Sequence, residues 1–177
     1  KEEEEAKKEL DDLLRRLKDL YRRIREELER LDRRLEEAYR RIKEDLKRLD
    51  EELRRLLEKD RDDRERIETL LEEILRRSED LVRKLKKLND EINTRTEELL
   101  KRLKKLNDDI NKRLEDLRDV IDEKVIRDVR KASRDTEREI RKVAEDNRKS
   151  SEDSRRKLED VLRKNKETLD RLRDELR

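Results

Sequence analysis

Residues 85–93 read LKKLNDEIN and residues 103–111 read LKKLNDDIN, so one nine-residue phrase returns after 18 positions with two asparagines in each copy. Leucine, leucine and isoleucine at spacings of three and four mark one face of a helix. Asn89 and Asn107 stand at the same phase, where an amide costs free energy unless another group meets it. Each amide on that face therefore needs a partner from a second helix.

The same period extends outward in both directions. From Leu10 to Leu56 the apolar residues step by three or four, and steps of 3, 4, 3, 4 and 4 close the pattern after five turns. That is 3.6 residues per turn, the period of an unstrained α-helix. A strict heptad would impose left-handed supercoiling, so this period predicts long, nearly straight helices. Composition agrees: 62% of the 177 residues are charged and 29% hydrophobic, and the chain has neither glycine nor proline. Regular placement of the apolar residues separates it from a disordered chain of similar charge.

Corners must be read from caps and apolar gaps. The longest gap in the first two thirds, EKDRDDRER at 58–66, offers Asp62 as an N-cap with Glu65 three residues on as a capping box. In DVIDEKVI at 119–126, Asp122 caps and Ile121 staples against Ile126. Turns near 60–62 and 119–122 give helices at about 2–59, 62–118 and 122–176. The expected fold is an all-α, antiparallel up-down-up three-helix bundle of long helices, with residues 1–177 as one domain. The alternative is one continuous helix of about 265 Å in an intermolecular coiled coil.

In a hairpin, residues at equal height have numbers that sum to a constant. Asn107 with Ser133, Asn89 with Ser151, and Asn93 with Asn147 all sum to 240. Tyr39 with Ser78 and Tyr21 with Thr96 sum to 117 against a constant of about 121 for the first hairpin, and Thr96 with Asn147 and Ser78 with Asn165 to 243 against about 241 for the second. A mismatch of four residues is about 6 Å along the axis, within side-chain reach. These residues, together with Asn111, are the expected polar core. They are read as fixing which helices pair and in what register. The bland alternative for each is a place at the core boundary in water.

The inventory excludes much chemistry. Histidine, cysteine and glycine are absent, which removes imidazole bases, thiolates, HExxH metal sites and phosphate-cradling loops. Serine without a base beside it is an unactivated alcohol. No catalytic, cofactor-binding or metal-binding residue is expected, and no cofactor. Lys+Arg 56 against Asp+Glu 54 gives a net charge of +2, too even for a nucleic-acid partner. Short clusters such as KRLKK at 101–105 read as solvated helix faces. No secretory leader or membrane-spanning run is expected, and compartment is left open. No partner is required, and a homo-oligomer through the broad stripe of residues 67–117 is the alternative.

The LN phrases at five-turn spacing, the Ser and Asn layers of the last third, and the missing Gly, Pro, Met, Phe and Cys resemble computationally designed helical bundles with buried hydrogen-bond networks. That resemblance implies a structural scaffold with no natural activity.

Overall fold

The computed structural model describes residues 1–59 and 62–176, the side chains of Leu172 and Leu176 excepted. Three α-helices make up the fold: α1 at Glu2–Lys59, α2 at Arg64–Asp116 and α3 at Glu123–Leu176. Among the described residues there is no strand. The protein is an all-α, antiparallel three-helix bundle, and the breaks after Lys59 and Asp116 rule out one continuous helix.

The first corner differs from its sequence reading. Positions 60 and 61 of the expected turn lie outside the described residues, and the cap is Asp63, not Asp62. The Arg66 amide donates to Asp63 Oδ1 at 3.2 Å, the N3-to-cap bond of a helix that begins at Arg64. Glu65 then falls at the second helical position, one short of where a capping box needs it.

At the second corner Asp122 caps α3: the Lys124 amide reaches Asp122 Oδ1 at 3.4 Å, and Ile126 N bonds Asp122 O at 3.2 Å. Ile121 and Ile126 are both buried in one cluster, as a staple requires. The turn itself is wound tightly, with Arg118 N bonded to Glu115 O at 3.2 Å and Val120 N to Leu117 O at 3.0 Å. No described residue has positive φ. A corner of this kind needs no left-handed residue, so glycine is not required there. Buried Leu117 and Ile121 pin it to the core.

Packing divides the chain into two compact units, and every helix contributes to both. In the first, Lys1–Leu31 packs with Ile92–Arg148. Leu10, Leu17 and Ile24 of α1, Leu103 and Ile110 of α2, and Val129 and Ile140 of α3 share its buried cluster. In the second, Asp32–Glu91 packs with Lys149–Arg177. Its cluster joins Leu49 and Leu53 of α1, Ile67, Leu71 and Ile74 of α2, and Leu169 of α3. Each fully buried leucine or isoleucine stabilises the fold by about 1.5–3 kcal/mol, so these stripes hold the helices in place.

Candidate functional site

The buried polar side chains among the described residues are Ser78, Asn89, Asn107, Ser133 and Ser151. Four of them meet in pairs across α2 and α3. In the first unit the Ser133 hydroxyl donates to Asn107 Oδ1 at 2.6 Å. With its carbonyl oxygen occupied, the Asn107 amide turns Nδ2 to Glu137 Oε2 at 3.2 Å, and Glu137 accepts in turn from Arg141 at 2.7 Å. In the second unit the Ser151 hydroxyl donates to Asn89 Oδ1. No buried side-chain nitrogen or oxygen among the described residues lacks a partner.

The remaining expected residues are arranged differently. Ser78 is buried but bonds the Ile74 carbonyl of its own helix at 2.8 Å, so it meets neither Tyr39 nor Asn165. Half-buried Thr96 likewise bonds the Ile92 carbonyl at 2.8 Å, and not Tyr21 or Asn147. A short hydroxyl on a helix reaches the carbonyl four residues back and satisfies itself there, which removes its need for a partner across the interior. Tyr39 and Asn165 are half-buried. Asn165 lines a small cavity with Asp50, Leu53, Ile74, Thr168 and Leu169.

Asn147 is half-buried, and its Nδ2 donates to the Leu28 carbonyl of α1 at 3.2 Å instead of meeting Asn93. Asn93 and Asn111 are exposed, against the expectation for both. Buried Ile92 and Ile110 take the inward place in each phrase, and the next residue sits about 100° further round the helix, outside the stripe. Tyr21 lies at the edge, half-buried, accepting from Arg25 at 3.4 Å. Its hydroxyl is pushed above the usual tyrosine range, first by a hydrogen bond to the Glu139 carboxylate and then by burial.

Matching heights among the uncharged polar residues alone misses two contacts between α1 and α2. Arg95 grips Glu27 with one edge of its guanidinium, Nε to Oε1 at 2.5 Å and Nη2 to Oε2 at 3.2 Å. Arg113 grips Glu9 the same way, Nε to Oε1 and Nη2 to Oε2 at 2.7 Å. The hydrogen bond from Arg113 holds the Glu9 carboxyl below its ordinary range. The signal was present: each pair sums to 122, close to the constant expected for that hairpin.

Among the described residues no group of three or more carboxylates could hold a metal ion. Among the described residues no helix is long and apolar enough to cross a membrane. No family model matches the sequence. No curated protein matches it. Among solved structures it is similar to one described as a computationally designed three helix bundle. The TM-score is 0.43 at 14% identity, covering 99% of this chain and 84% of the other.

Proposed function

We propose that this chain is a designed structural scaffold with no natural biochemical activity, in which buried Asn and Ser side chains specify how α2 and α3 pair. The observation that carries this reading is the pair of interhelical bonds, Ser133 to Asn107 and Ser151 to Asn89. Asn89 and Asn107 are separated by the same five-turn interval as Ser133 and Ser151. A shift of either helix by one turn, about 5.4 Å, breaks both bonds and strands buried amides. Apolar side chains tolerate such a shift better, so the amides contribute selectivity where leucine contributes only stability. The sequence adds support through its lack of any imidazole or thiol and its restricted residue set.

Nothing in this interior favours catalysis, since the hydroxyls of Ser78, Ser133 and Ser151 are all engaged by amide or carbonyl acceptors. Self-association through α2 is the weaker reading. It calls for an apolar outer face, and among the described residues no large hydrophobic side chain is exposed. We treat residues 1–177 as one domain, because α1, α2 and α3 each supply both packed units.

The test replaces Asn89 and Asn107 by leucine together and follows α2–α3 register through distances between spin labels. The reading expects retained or greater stability with a broadened or displaced distance distribution. Loss of folding, or an unchanged single distance, would contradict it.

A further inference from the structure

The two Arg–Glu contacts on the α1–α2 seam are spaced like the interior layers. Glu9 to Glu27 on α1 and Arg95 to Arg113 on α2 span equal intervals, so both contacts recur after five helical turns. Most surface ion pairs are worth little, because two long side chains lose entropy for a screened attraction. Two-pronged guanidinium–carboxylate contacts are the exception, since two parallel bonds fix direction as well as distance. The Arg95–Glu27 pair is also partly shielded, at 35% and 27% side-chain exposure.

Continuing the spacing by one more such interval places Asp45 on α1 opposite Arg77 on α2. Both line one groove together with Leu49 and Leu81. The acid here is aspartate, one methylene shorter than glutamate. Arg77 instead turns along its own helix to Glu73 at 2.8 Å, and Asp45 makes no ion pair among the described residues.

We propose that the Arg–Glu clamps set the register of α1 against α2, and that Arg77 with Asp45 is a third clamp site left open by the missing methylene. This goes beyond the scaffold reading, because it concerns a different helix pair and a different chemistry. The interior amides act between α2 and α3; the clamps act between α1 and α2. A helix pair slipped by one turn brings Glu9 and Glu27 out of reach of both arginines at once, so the slipped arrangement loses all four bonds together.

The chain has no cysteine, so Lys8→Cys and Lys101→Cys place two nitroxide labels at exposed positions on α1 and α2, offset by about 20 Å along the helix axes so that an axial slip changes their separation. Arg95→Glu set against native Glu27 is expected to broaden the label distance or shift it by roughly 3–5 Å, the part of a one-turn slip that lies along the line between the labels. Adding Glu27→Arg restores the original single distance. Asp45→Glu is expected to slow amide exchange over residues 70–84 by about two- to fivefold, the scale of a well-oriented ion pair, and Arg77→Gln abolishes the gain. An unmoved distance in the single reversal, no restoration in the double, or no slowing with Asp45→Glu overturns the proposal. Failure of the interior amides would register on α2–α3 labels and leave these α1–α2 distances intact.

Discussion

Ser133 on α3 donates a 2.6 Å hydrogen bond to Asn107 on α2 while the two residues are only 2% and 4% exposed. Neither can turn to bulk water if the other is removed. Ser133→Ala should therefore cost about 1–3 kcal/mol, the penalty for stranding the Asn107 carbonyl oxygen. Combining it with Asn107→Leu should cost less than the sum of the single changes, since both polar groups then leave together. Urea denaturation of the four proteins measures the coupling. Strict additivity would mean the bond contributes nothing beyond its separate parts.

Ser78 provides the contrast. It is as buried as Ser133, yet its hydroxyl is satisfied by Ile74 O within α2. Ser78→Ala strands no partner on another helix and gains helix propensity, so its effect should lie within about 0.5 kcal/mol of zero. Ser151→Ala should be the more damaging change, because Asn89 loses its donor. Thermal unfolding of the two variants side by side decides this, and equal losses would contradict it.

Titration should reveal three carboxyl and phenol contributions of known sign. Glu9 is held low, chiefly by its hydrogen bond from Arg113, so it stabilises the fold above the ordinary carboxylate pKa and that stability is lost as pH falls through its folded value. Tyr21 is raised by its bond to Glu139, so its contribution is present below the ordinary tyrosine pKa and is lost as pH climbs through the folded value. Asp32 is raised by burial and then by Glu36, so the folded state binds its proton more tightly and ionised Asp32 costs stability at neutral pH. Glu9→Gln should flatten the acid limb of a stability–pH profile and Tyr21→Phe the alkaline limb. Asp32→Asn should raise the melting temperature at pH 7. An unaltered profile for all three would count against these electrostatic assignments.

The middle of α3 should open first. Between buried Ala144 and Leu158 the only buried residue is Ser151, with Asn147 and Ser154 half-buried and Ser150 exposed. With so little apolar area removed from water, local unfolding there needs little free energy. Amide exchange across 145–157 should run faster than around Ile126 to Ile140, and uniform protection along the helix would refute the expectation.

Much of the fold was legible because periodicity and caps are local signals. The apolar spacing marks the helices, and Asp122 with Ile121 marks the second corner one residue before α3 begins. The first corner was misread by one residue, since Asp62 and Asp63 have the same capping chemistry and only backbone geometry chooses between them. Height matching sets Asn107 level with Ser133 and Asn89 level with Ser151, and hydrogen bonds run between those residues. It failed for Ser78 and Thr96 because it ignores the carbonyl four residues back, and for Asn93 and Asn111 because it ignores helical phase. Glu137 was missed since its role depends on which way the Asn107 amide is turned, and that is decided by Ser133.

The most direct measurement is side-chain amide NMR, with the four asparagines of the repeated phrase as their own controls. Asn89 and Asn107 are buried and accept from Ser151 and Ser133 through their carbonyl oxygens. Their NH2 protons should therefore exchange slowly with solvent and show cross-relaxation to the β-protons of those serines. Those of Asn93 and Asn111 should exchange fast and show no contact with α3. Equal, rapid exchange at all four positions would contradict the claim that interior amides join α2 to α3.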